Sequence, residues 1–181
     1  PKLDRLIFRS IPDNSARLAE FISGGVHQAD LAQTDHAAAE ADPNIISYDF
    51  PSMGIGYIAF QQCTPPFDKL EVRQAIAHAI NRQALIDAFY TERDVLAEGF
   101  QPPAIMGHNP DLPEIEYNPD KAKELLAAAG LPDGFKTEFW YIPVIRGYFP
   151  DSTAIGEAMA VDLAKVGIEV ELQTDDWGAY L

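Results

Sequence analysis

Residue types that often carry chemistry are present in this chain, but few are spaced for it. Histidines stand at 27, 36, 78 and 108. No two have the i, i+4 spacing that puts a pair of imidazoles on one helical face for zinc. Asp30, Asp35 and His36 can be drawn as a ligand cluster, yet acids at a helix start are explained by the dipole they complement, so no metal is expected. Cys63 is the single cysteine, which excludes an internal disulfide and leaves no thiolate set for zinc. Ser10, Ser15 and Ser23 lack a Gly-x-Ser-x-Gly elbow, so a hydrolase triad has no anchor. Gly54-x-Gly56 has neither a third glycine nor a following helix, so a dinucleotide fingerprint fails. Asp175 and Asp176 could be paired acids of a small hydrolase; a turn or helix cap before Trp177 accounts for them more simply.

Arg146 stands apart. It lies in Tyr141-Ile142-Pro143-Val144-Ile145-Arg146-Gly147-Tyr148-Phe149-Pro150, an aromatic, proline-rich connection directly after a predicted strand. In open α/β sheets ligands bind beyond the carboxyl ends of strands. A guanidinium there presents a planar donor fork to a carboxylate, and neighbouring rings supply apolar walls. Arg146, Tyr148 and Phe149 are the candidate ligand-binding residues, with Tyr148 and Phe149 facing ligand or hinge. A surface ion pair for Arg146 is the competing reading, in a chain with 28 acidic residues.

The elements that must hold this loop follow from periodicity. Leu3 to Ile11 alternates as a strand, and Pro12-Asp13-Asn14-Ser15 starts a helix with Leu18, Phe21 and Ile22 on one stripe. Gly24-Gly25 stops it. Val26 to Leu31 reads as a short strand, followed by an Ala-rich helix capped by Thr34. Ile45 to Phe50 and Ile55 to Phe60 read as extended, with Gly54 and Gly56 marking a bend or a close backbone approach. Val72, Ala75, Ile76, Ala79 and Ile80 form the buried stripe of a strong helix. Asn81 caps the next, which carries Leu85, Ile86 and Phe89. From Thr91 to Tyr117 the chain is a proline-rich loop of a length typical of binding loops and straps. Asn118-Pro119 opens a helix with Ala122, Leu125, Leu126 and Ala129 inward. A strand from Phe135 to Ile142, a helix from Ser152 with Ile155, Met159, Leu163 and Val166 inward, and a strand from Ile168 to Leu172 make a βαβ unit. The class is α/β with mixed sheets flanked by helices, with a seam near Asp42-Pro43.

Composition narrows the partners. Thirteen Lys and Arg against 28 Asp and Glu give a formal charge of −15, which repels phosphate backbones, and no basic stripe offsets it. No nucleic-acid partner is expected. No apolar run approaches the roughly 18 residues of a membrane span, and the start shows no signal-peptide pattern. The chain opens on what reads as a strand and closes at Trp177-Gly178-Ala179-Tyr180-Leu181, so a piece of a longer chain is expected.

Several passages resemble the family-five extracellular solute-binding proteins, in particular their dipeptide- and oligopeptide-binding members. Asp4-Arg5-Leu6-Ile7-Phe8-Arg9, Ala16-Arg17-Leu18 and Gly56-Tyr57-Ile58-Ala59-Phe60 fit the family. The most specific passage is the run from Pro65 to Arg82, PPFDKLEVRQAIAHAINR, which is similar to the family's PFDDVRVRQALAYAIDR. Residues 118–126 and 163–168 fit as well, so the resemblance covers nearly the whole chain in order.

The resemblance implies periplasmic-binding-protein-like lobes that close over a ligand, with residues 1–45 ending the first large lobe and 46–181 starting the second. It implies a substrate-binding component of an ABC importer that captures di- or oligopeptides outside the cytoplasmic membrane and delivers them to a membrane permease. No cofactor and no catalytic residue are implied, and the location is periplasmic or extracellular. The same fold binding a metal chelate, haem or a sugar is the alternative, ahead of a small hydrolase. Arg146 matches the arginine that pairs with the ligand's C-terminal carboxylate in dipeptide-binding members. Gly147 replaces the family's usual proline and removes a φ constraint. Met106-Gly107-His108-Asn109 departs from the family's MWGYN, losing its aromatics.

Overall fold

A computed structural model describes residues 2–48, 50 and 52–180. The chain divides into two compact units, Pro1–Phe50 and Pro51–Leu181.

The first unit contains helix α1 (Asn14–Ile22) and the short helix α2 (His36–Glu40), preceded by a 3-10 turn over Gln33–Asp35. The α1 start follows the sequence signal: the Asp13 carboxylate accepts the Ala16 N–H at 2.7 Å, satisfying one of the orphan donors of the first turn. The α2 cap falls one residue later than expected, at Asp35, with no side-chain cap bond, and Thr34 does not cap the helix. The strands expected at Leu3–Ile11 and Val26–Leu31 do not form. Alternation assigns faces to an extended chain, but a strand also needs a backbone partner, and none of the described residues supplies one. Leu6, Ile7 and Phe8 are left exposed.

The second unit holds the core. Helices α3 (Leu70–Ala79), α4 (Arg82–Phe89), α5 (Pro119–Ala128) and α6 (Ser152–Ala164) are joined by strands β1 (Phe135–Tyr141) and β2 (Ile168–Thr174), with a terminal turn of helix, α7 (Trp177–Tyr180). The helices begin where local chemistry says they should. Asn81, Asn118 and Asp151 each accept a backbone N–H three residues on, from Ala84, Lys121 and Ala154, and Pro119 occupies the first turn of α5, where its missing N–H is harmless.

Val72, Ala75, Ile76 and Ala79 of α3 face Ala122 and Leu126 of α5, and Ile155, Met159 and Leu163 of α6 join them under Ile168. Leu126, Ile155, Ile168 and Val72 are the largest fully buried side chains. This is the inward stripe read from the sequence. Loops are tied down by cations on carbonyls: Lys69 reaches the Ala129 carbonyl at the end of α5 at 2.6 Å, and Arg73 holds Phe67 and Asp68.

The strands β1 and β2 pair in parallel, Phe135 opposite Ile168 through to Tyr141 opposite Thr174, with α6 as the crossover. The pair is the only sheet among the described residues. The described residues of 45–50 and 55–60, expected to be extended, carry no regular element, and Asp49 lies outside the described residues.

One buried charge organises the middle of this unit. Asp162, on α6, accepts the backbone N–H of Asn81 at 2.9 Å through Oδ2 and the Lys165 ammonium at 2.7 Å through Oδ1. It is the single buried charged residue among those described, and it fixes the start of α4 against α6. Asp162→Ala leaves the Asn81 N–H without its charged acceptor. The expected loss is about 1.5–3 kcal/mol of unfolding free energy, read from denaturant titration, with Asp162→Asn losing less. An Ala variant as stable as the wild type would show that this link contributes nothing to stability.

Candidate functional site

Arg146 and Phe149 close a hairpin of two backbone hydrogen bonds, Arg146 N–H to the Phe149 carbonyl at 3.0 Å and Phe149 N–H to the Arg146 carbonyl at 2.9 Å. Gly147 and Tyr148 form its two-residue tip. Nothing lies within 4 Å of the position a Cβ would take at Gly147, so the tip points into open space. Proline is absent at this position, and the paired backbone bonds supply the rigidity. The hairpin lies beyond the carboxyl end of β1, where the sequence placed it.

The structure brings Arg146, Tyr148 and Phe149 together but gives them different surroundings. Arg146 is exposed, and its guanidinium reaches back to the Ile145 carbonyl at 3.3 Å. Tyr148 is 37% exposed, whereas Phe149 is half-buried and packs against the core. Their rings meet edge to face with centroids 5.8 Å apart.

Two other segments grip the hairpin. Gly54 and Gly56 run beneath it: a Cβ on Gly54 would lie 3.1 Å from the Tyr148 ring, and one on Gly56 would lie 2.8 Å from the Tyr148 carbonyl oxygen. The close backbone approach expected at these glycines is therefore made with the hairpin. From α4, the Tyr90 hydroxyl donates to that same carbonyl at 2.9 Å. Sequence reading assigned Tyr90 no role. The proline-rich loop over 91–117 is strapped down by Arg82 on the Ala97 and Ile115 carbonyls and by His78 at the Glu116 carbonyl. Phe100 of this loop meets Tyr57 edge to face at 5.4 Å.

The other candidates resolve into structural parts. Asp176 accepts the Gly178 and Ala179 N–H groups and so caps α7, while Asp175 accepts the Asp176 N–H. His108 contacts the Gln101 carbonyl at 2.7 Å. Among the described residues no three His, Cys, Asp or Glu side chains gather as a metal ion would need, and no helix is long and apolar enough to cross a membrane.

The model of "bacterial extracellular solute-binding proteins, family 5 Middle" matches residues 1–181. The Escherichia coli (strain K12) dipeptide-binding protein is 35% identical over 100% of this chain and 34% of its own length. Heme-binding protein A of Haemophilus influenzae is 36% identical over 98% and 33%. Di/tripeptide-binding protein 1 of Pseudomonas aeruginosa is 38% identical over 99% and 34%. The chain thus spans about a third of the length of the curated relatives it matches. The crystal structure of a dipeptide-binding protein from Pseudoalteromonas in complex with Met-Leu superposes with a TM-score of 0.80 at 30% identity, covering 94% of this chain and 34% of the other. A structure from Haemophilus parasuis superposes with a TM-score of 0.79 at 36% identity, covering 98% and 35%. The α/β fold is that of the periplasmic binding proteins.

Burial of Tyr90 leaves a titration signature. Burial, with a smaller contribution from the Asp94 charge, pushes the Tyr90 hydroxyl up to about 12. The folded value exceeds the unfolded one, near 10.0. This contribution to stability is therefore fully present below the unfolded value and is lost as pH rises through the folded value. Denaturant midpoints measured across that window should fall more steeply for the wild type than for Tyr90→Phe. Parallel curves for the two proteins would show that Tyr90 is solvated.

Proposed function

Because the chain belongs to family 5 of the bacterial extracellular solute-binding proteins, we propose that it contributes part of the ligand pocket of a peptide-capturing subunit serving an ABC importer. Arg146 receives the C-terminal carboxylate of a di- or oligopeptide, Tyr148 offers an apolar wall beside it, and Phe149 anchors that wall on the core. Residues 1–45 belong to the end of one lobe and 46–181 to the beginning of the other. The protein works outside the cytoplasmic membrane, hands its ligand to the permease, and breaks no bond.

The observation that carries this reading is an exposed guanidinium on a hydrogen-bonded hairpin past the carboxyl end of β1. A carboxylate taken out of water by lobe closure is costly unless a hydrogen-bonded cation meets it. The arginine fork offers two parallel donors, and lysine does not reproduce them. Peptide-binding names among the relatives support the choice of ligand. The heme-binding relative, equally similar, supports haem as the second solute.

In the protein of full family length that carries these residues, Arg146→Ala should weaken peptide binding by about 2–5 kcal/mol, with Arg146→Lys recovering part of it. Amidating the peptide's C-terminus should weaken the wild type strongly and the Ala variant little, since both changes delete one interaction. Calorimetry on the four combinations decides: additive losses mean that Arg146 does not touch the carboxylate. Tight haem binding without peptide binding would favour the second solute.

The absence of chemistry is testable too. Incubation with peptides, esters and phosphoesters should give turnover no faster than buffer, and Asp175→Asn with Asp176→Asn should leave that background unchanged. Saturable hydrolysis abolished by either substitution would establish an enzyme.

A further inference from the structure

The hairpin bearing Arg146 is built from neighbouring residues, but what fixes its position comes from far away in the chain. Its own two hydrogen bonds close the loop on itself and say nothing about where the loop sits. Phe149 packs against the core, and the Tyr148 carbonyl oxygen is held from two further sides. Tyr90, at the C-terminal end of α4, donates its hydroxyl to that oxygen at 2.9 Å across 58 residues of sequence. The Tyr90 ring packs against the core, so the donor is held by the rigid part of the unit. Gly56 lies against the same oxygen from the segment over 55–60, with room for a hydrogen and none for a Cβ, whose position is 2.8 Å from the oxygen and 3.2 Å from Phe149 Cζ. Van der Waals contact with bare backbone on one side and a hydroxyl donor on another fix the Tyr148 peptide unit.

Arg146 is two residues from that peptide unit and bonded to Phe149 immediately after it. A displacement of the Tyr148 carbonyl therefore moves the base of the guanidinium. A charge-assisted fork is sensitive to such movement because both of its hydrogen bonds must stay aligned. We infer that Tyr90 and Gly56 are positioning residues for Arg146, setting the affinity for a ligand carboxylate without touching the ligand. The inference rests on the reading of Arg146 given above. The hydroxyl stays protonated and able to donate at neutral pH, consistent with its raised titration.

The test compares wild type, Tyr90→Phe, Gly56→Ala and Arg146→Ala in the protein of full family length. Calorimetry uses one dipeptide with a free C-terminus and the same dipeptide amidated. Amide hydrogen exchange at Arg146 and Phe149 is followed alongside. Tyr90→Phe removes one oxygen and keeps the ring, so the fold is retained. It should bind the free dipeptide roughly fivefold to tenfold more weakly, bind the amidated one as the wild type does, and exchange the two hairpin amides faster. Gly56→Ala should shift the same observables in the same direction while Tyr90 is intact. A purely structural role would instead lower the melting temperature and leave the ratio of the two affinities unchanged, which overturns the inference. Unchanged exchange at both amides overturns it as well. If Arg146→Ala discriminates between the two peptides and Tyr90→Phe does not, positioning by Tyr90 is wrong and the Arg146 site stands. If Arg146→Ala itself does not discriminate, the site reading is wrong and the positioning role falls with it.

Discussion

Parallel pairing of β1 with β2 is the constraint on which the second unit depends. Parallel strands cannot be joined by a tight turn, so the chain leaving Tyr141 must travel back before it can pair again. Helix α6 makes that return and buries Ile155, Met159 and Leu163 on the way. Residues 142–151, between the strand and the helix, are thereby left at the carboxyl end of the sheet with no regular partner, free to fold into the Arg146 hairpin. The ladder itself begins at two bare backbones. A Cβ on Gly134 would lie 1.9 Å from the Gly167 carbonyl oxygen, and both glycines have positive φ. Only glycine tolerates that conformation and that approach together, so the strands enter side by side because neither residue carries a side chain.

Helices α3 to α6 were legible because their signals are local. Stripes such as Val72, Ala75, Ile76 and Ala79 lie within a few turns, and Asn81, Asn118 and Asp151 cap within three residues of themselves. The extended segments were not legible in the same way. Leu6, Ile7 and Phe8 have the composition of a strand, but pairing depends on residues elsewhere, which alternation does not name. The Thr34 cap shows a smaller version of this problem: Thr34 and Asp35 are both chemically competent, and one residue of helical phase separates the readings.

The candidate site divides along the same line. Arg146 and its aromatic neighbours could be found because they are contiguous, and Gly54 and Gly56 announced a close approach. What they approach could not be read, since Tyr148 is far along the chain from either. Tyr90 resembles any half-buried aromatic at the end of a helix, and nothing nearby marks its hydroxyl. Asp162 was hidden for the same reason: a lone acid on an apolar helix reads as a solvated position until Asn81, 81 residues away, is seen donating to it.

The exposed apolar residues of the segments expected to be extended also affect how the chain behaves in solution. Leu3, Leu6, Ile7 and Phe8, then Ile46, Tyr48 and Phe50, are exposed apolar side chains on stretches without regular secondary structure. Clustered exposed apolar side chains of this kind favour association between copies. The formal charge of −15 opposes this by repulsion between copies. That protection is electrostatic, so it shrinks with the Debye length, from about 30 Å at 0.01 M salt to about 8 Å at physiological ionic strength. Colloidal stability of the isolated chain is therefore set by ionic strength, and low-salt buffers at neutral pH or above keep it dispersed.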